Sequence, residues 1–226
     1  MKILYIGEIM RVINLFLFSL VSVCIFISGF SVYSAYEKDI IYIDPGHGGY
    51  DGGSVSNSEV YEKDVVLKVS YFLKEYLEYN GYKVLLTRYD DYDLASDSSY
   101  DRKHDDILKR VEYVNNSKAK ACISIHTNAF PNSSVRGAQT FYGYGREESK
   151  LLAELIQENL IKRLKNTNRV ALPIKEKYIL DNITCPISIV EIGFLSNKEE
   201  CKLLTDESYL KIVSYSIGEA VVLYLN

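Results

Sequence analysis

The 226-residue chain has no tryptophan, four prolines, four cysteines and three histidines. Each scarcity narrows the reading. Four cysteines make no disulfide framework. Cys24 falls in an apolar leader and Cys122 within an apolar strand-like run, where it reads as a small core residue; Cys185 and Cys201 are either one pair or two free thiols. No CxxC occurs, which argues against a cysteine zinc site. The net charge is −4, with no basic stripe interleaved with aromatics, so nucleic acid is not an expected partner. Repeats, low-complexity tracts and a linker splitting the chain after the leader are also missing.

The leader is residues 12–30, one apolar run without a charge, preceded by Lys2 and Arg11 and followed by Glu37, Lys38 and Asp39. Positive residues before it place the rest of the chain outside the membrane. The run is long for a signal peptide and just long enough to span a bilayer. Residues 1–35 are therefore expected to be a signal peptide or a membrane anchor, engaging the membrane or the export machinery. Val32-Tyr-Ser34 is a passable cleavage signal; Val21-Ser-Val-Cys24 is a poor lipobox. Either way the domain at 39–226 is exported. It has about 190 residues, ample for a single core.

Hydrophobic periodicity predicts strands at Ile40–Asp44, Tyr82–Thr87, Ala121–His126, Arg136–Tyr142 and Ile187–Ile192. Helices are expected over 61–79, from Ile107 to Asn116, over Glu147–Lys165, over Asn197–Leu204 and over Tyr209–Leu225. Residues 89–101 read as a long polar loop. Residues 166–178 read as irregular, with Pro173 as a breaker. Strands alternating with helices imply an α/β fold: one domain, a mostly parallel central sheet and helices on both faces.

Three of these strands end in chemistry. Asp44-Pro-Gly breaks the first and sets His47 in a loop with five glycines between 46 and 60; the third ends in His126; the last carries Glu191. In an open α/β sheet the carboxyl edge of the strands is where ligands bind. Two imidazoles and a carboxylate with an open fourth position make a hydrolytic zinc site, and Glu62, opening the next helix, supplies the carboxylate. Glu59 is the rival third ligand, and only the Glu62-Lys-Asp64 context prefers Glu62. Glu191 is then the catalytic carboxylate, taking a proton from water activated by the metal. Asn128, close after His126, is placed to orient a ligand or the peptide, or simply to form a turn. His104, in a charged run, reads as a solvated helix face; Arg163, Lys165, Arg169, Lys175 and Lys177 read as a solvated face or, alternatively, as contacts for anionic glycan. Few acids are evident behind the ligands.

The motifs Asp44-Pro-Gly-His-Gly-Gly49, Glu62-Lys-Asp64, Thr87-Arg88, Ser124-Ile-His-Thr-Asn128 and Val190-Glu-Ile-Gly-Phe-Leu-Ser-Asn197 stand in register over residues 39–225. Together they resemble the zinc-dependent N-acetylmuramoyl-L-alanine amidases of the Amidase_3 type. Asp91–Ala95, Arg136–Tyr142 and Asn166–Arg169 narrow the likeness to the CwlD-like amidases of endospore formers. The resemblance implies Zn2+ held by His47, Glu62 and His126, with Glu191 catalytic. It implies hydrolysis of the amide between N-acetylmuramic acid and L-Ala of the peptidoglycan stem, a step toward muramic-δ-lactam in the spore cortex, which germination enzymes recognise. Arg110 and Asn115 match family positions where packing is the expected role. The implied location is extracytoplasmic, in the cell wall or forespore intermembrane space. No wall-binding repeat is appended, so targeting falls to the leader or a protein partner, and such a partner is also a candidate to set zinc occupancy and activity. The alternative is a non-catalytic peptidoglycan-binding scaffold on this fold; a zinc peptidase cutting within the stem is a third reading.

Overall fold

In the computed structural model, which describes residues 15–19, 22 and 38–226, the first apolar run becomes strand β1 (Ile40–Pro45). Parallel neighbours flank it: β2 (Lys83–Leu86) on one side and β3 (Ala121–Asn128) on the other. Beyond β3 come β6 (Ile187–Phe194), β4 (Gln139–Gly143) and β5 (Leu172–Ile174), giving the order β2-β1-β3-β6-β4-β5. β6 is parallel to β3; β4 runs antiparallel to β6, and β5 follows β4. The expected mostly parallel sheet is present, with its last two strands reversed.

Alternation along the strands divides the core. Ile41, Ile43, Ile123, Ile125, Val190 and Ile192 face helices α1 (Glu62–Tyr79), α3 (Glu147–Leu164) and α6 (Glu207–Leu225). Tyr42, Cys122, Ile187 and Ile189 face α2 (Arg102–Asn116) and the short α4 (Tyr178–Asn182). α1 buries Val65, Val66, Val69, Leu73 and Leu77 on one stripe. It crosses α6 so closely that a Cβ on Gly218 would lie 2.3 Å from the Tyr76 ring. The short α5 (Lys198–Leu203) is capped by Asn197, whose side chain accepts from the Glu199 and Glu200 amides.

Local details go beyond the sequence reading. Pro173 does not break the chain: it sits in edge strand β5, where its missing N–H removes no ladder bond. The buried stripe of α2 includes Asp106 and Arg110 beside Val111 and Val114, because both charges find partners inside. Cys122, Cys185 and Cys201 are free thiols, which removes the Cys185–Cys201 pair.

The chain groups into Met1–Lys38 and Asp39–Asn226. In the first unit residues 15–19 and 22 are helical. The rest of the apolar run at 12–30 and its cleavage signal lie outside the described residues. Among the described residues, no helix is long and apolar enough to cross a membrane.

Candidate metal centre

β1 and β3 end side by side, and their register places Asp44 against Ser124 and Pro45 against Ile125. The chain then turns at Gly46, and His47 takes a left-handed backbone with φ of 59°. Such a conformation costs a non-glycine residue energy and needs support. Two guanidinium groups give it. Arg110 donates to the carbonyls of Pro45 (2.7 Å) and His47 (2.6 Å). Arg88, fully buried, donates to Pro45 (3.2 Å) and Gly46 (2.9 Å). Arg110 also pairs with Asp44 and Asp106, both at 2.7 Å. Thr87 and Ser124 complete the shell of Asp44 through their hydroxyls, each at 2.7 Å. Burial alone would raise the Asp44 pKa, but the Arg110 charge and these hydrogen bonds hold it down at about 2. Arg110 is thus a buried structural residue, as expected. Asn115 ties α2 to Asn182 and Thr184.

On this frame the three predicted ligands meet. Glu62, in the first turn of α1, is 2% exposed. Its Oε1 lies 3.2 Å from His47 Nε2 and 3.0 Å from His126 Nδ1, and accepts the Thr127 amide. Its Oε2 accepts the Ser54 amide at 2.8 Å. Burial opposes its charge, yet hydrogen bonds from His126 and His47 hold the carboxyl well below the usual range. The His47 pKa is raised: burial works against it, and Glu62 and then Asp51 outweigh burial.

The residues suit a metal ion. One ligand atom from each of His47, Glu62 and His126 lies within 4.8 Å of the others, a nitrogen-and-oxygen donor set suited to zinc. The space beside them is kept clear by glycine. A Cβ at Gly46 would fall 2.3 Å from the His126 ring, and one at Gly53 would fall 2.7 Å from both Glu62 and His47. Glu59 is exposed in the preceding loop and is not in this group.

Glu191 is the register partner of His126. Burial is the first cause of its pKa rising to about 7, opposed by the charge of His126 and reinforced by that of Glu62. Among the described residues, its buried Oε2 has no hydrogen-bond partner. These side chains line a cleft of about 690 Å³ that continues past Phe141, Ile174 and Ile189 to Lys103 and Lys177. Asn128, the last residue of β3, lines it too, and its Oδ1 accepts the adjacent Ala129 amide. His104 is exposed on α2, as expected.

Two features escaped the sequence reading. Asp51 Oδ2 lies 2.9 Å from His47 Nδ1, so an acid does stand behind the ligands. The only signal for it was an acid in a glycine loop four residues after a histidine. Lys177 is exposed, as expected, yet it also lines the cleft, at the N-cap of α4, a helix not anticipated. Behind β6, buried Glu200 accepts the amides of Gly137 and Phe194 and the side chain of Asn166. The segments of the narrower likeness at 136–142 and 166–169 thus meet there.

Residues 41–222 match the profile of the N-acetylmuramoyl-L-alanine amidases, Amidase_3. The germination-specific N-acetylmuramoyl-L-alanine amidase of Bacillus subtilis (strain 168) is 42% identical over 189 residues, covering 82% of this chain and 79% of that protein. The CwlD amidase of Clostridioides difficile, solved in complex with the GerS lipoprotein, superposes with a TM-score of 0.80 at 38% identity, over 83% of this chain and 98% of that one. An N-acetylmuramoyl-L-alanine amidase of Clostridium difficile 630 gives 0.76 at 28% identity, over 84% and 98%. With the motifs in order, the sheet matched and the polar side chains gathered at its carboxyl edge, the chain belongs to the Amidase_3 family and is an N-acetylmuramoyl-L-alanine amidase.

Proposed function

We propose that this amidase is zinc-dependent and acts in spore cortex maturation, releasing stem peptides on the route to muramic-δ-lactam. One observation carries the zinc reading: Glu62 Oε1 stands within 3.2 Å of one nitrogen from each of two histidines that reach it from separate elements. His47, Glu62 and His126 hold the ion. When bound, zinc polarises the scissile carbonyl and acidifies a water molecule. The chain's own residues do the rest. Glu191, half-buried as the register partner of His126 and poised near neutrality, takes a proton from the attacking water and delivers it to the amine of the departing L-Ala. Asn128, at the cleft wall, orients the peptide through its amide. The apolar stretch of the cleft, with Phe141, Ile174 and Ile189, excludes water from the scissile bond.

The germination-specific relative supports the cortex role. Action outside the cytoplasm, with residues 1–35 as signal or anchor, belongs to the same reading. So does a protein partner that promotes metal loading or activity, supported by the CwlD–GerS complex.

Mass spectrometry of muropeptides digested by the purified protein, with its metal content measured, tests the proposal. Free stem peptides with intact L-Ala amino ends, lost on chelation and restored by zinc, are expected. Chelator-resistant cleavage, or cleavage within the stem, would overturn it.

A further inference from the structure

We propose that Asp51 is a positioning residue for the metal centre: it fixes the ring and tautomer of His47 so that Nε2 faces Glu62 and His126. The inference rests on the metal site proposed above and adds a residue outside the ligand set.

His47 and His126 reach the site by different means. His126 belongs to β3, flanked by β1 and β6. His47 lies on a turn between Gly46 and Gly48, with a left-handed backbone. Arg88 and Arg110 hold the carbonyls of that turn, but they leave the imidazole free to rotate about its side-chain bonds. Asp51 supplies the missing constraint. Its Oδ2 meets His47 Nδ1 at 2.9 Å, and its Oδ1 accepts the Gly53 amide at 3.1 Å. The Asp51 backbone is pinned by two bonds to Gly48, at 2.9 and 3.1 Å. The carboxylate is thus held at both oxygens and at its own main chain.

The chemistry of a ligand histidine explains the need. Nε2 can offer its lone pair to a cation only when the ring proton sits on Nδ1. A carboxylate accepting from Nδ1 favours that tautomer and strengthens the donor nitrogen. Lys103, from α2, lies 3.6 Å from the same Asp51 oxygen and favours the ionised acid. In His126 the nitrogen facing Glu62 is Nδ1, and among the described residues no hydrogen bond reaches its Nε2. Among the described residues, His47 is the one imidazole of the two with a carboxylate hydrogen-bonded to the ring nitrogen that faces away from Glu62.

The test compares wild type with Asp51→Asn and Asp51→Ala. Asp51→Asn retains an acceptor for Gly53 while removing the charge. Zinc affinity is measured by competition with a chromogenic chelator, the His47 tautomer by long-range 1H–15N correlation, and the metal-free Tm by thermal unfolding. Both variants are expected to bind zinc about 10–100-fold more weakly, with less of the Nδ1–H tautomer and an unchanged metal-free Tm. Affinity within twofold of wild type would overturn the role. So would weaker affinity that tracks a lowered metal-free Tm, which would make Asp51 a loop-folding residue. A wild-type protein that binds no zinc would instead remove the metal site itself, and this inference with it.

Discussion

His126 and Glu191 sit directly across from each other in the β3–β6 register. One imidazole and one carboxylate are therefore set side by side by backbone pairing alone, on the sheet face that carries Ile189 and packs against α2 and α4. Parallel pairing gives both residues the same carboxyl-end position. A one-residue slip would turn either side chain to the opposite face.

Replacing Glu191 with Gln is expected to preserve zinc stoichiometry, since Glu191 is outside the ligand group. Turnover should fall by about 10²–10⁴, the scale of a lost general base. Metal analysis and muropeptide release measured on one preparation check both halves, and near-normal hydrolysis would remove Glu191 from its role.

Gly46→Ala should abolish zinc binding. The added methyl would fall 2.3 Å from the His126 ring, a contact that real side chains do not make. The ring must swing away from Glu62, so chelator competition should show the loss even if the variant folds.

Arg110→Ala should destabilise the fold by about 3–5 kcal/mol, because it strands the buried carboxylate of Asp44. It also frees the carbonyls of Pro45 and His47. Urea unfolding should show a lower midpoint, and zinc affinity should weaken with it. A change within 1 kcal/mol, the range of an ordinary surface pair, would refute the buried-network account.

Asp44 also sets an acid limb. Its folded pKa of about 2 lies below the ordinary 3.8, so the unfolded chain takes up the proton first as pH falls. The stabilisation is complete above pH 3.8 and drains away as pH drops toward 2, by about 2 kcal/mol at 1.36 kcal/mol per pKa unit. Unfolding free energies measured over this window should lose that slope in Asp44→Asn.

Much of this was legible in the residues themselves. Apolar runs ending in Asp-Pro-Gly-His and Ser-Ile-His fixed two strand ends and two imidazoles, and the stripe Val65, Val66, Val69, Leu73, Leu77 fixed the helix that begins at Glu62. These are local signals, since strand and helix periods depend only on neighbours in the chain. What lay beyond them depended on long-range pairing. Pro173 in an edge strand, the inward turn of Asp106 and Arg110, and Lys177 in the cleft wall each require knowing which element lies opposite. The contact between Asp51 and His47 spans four residues, yet it exists only because the Gly48–Asp51 bridge folds the loop back. The sequence alone determined which donors the chain owns and which strand ends carry them. Tertiary structure decided which of those donors point at one another, because the direction of a side chain is set by its partners across the fold.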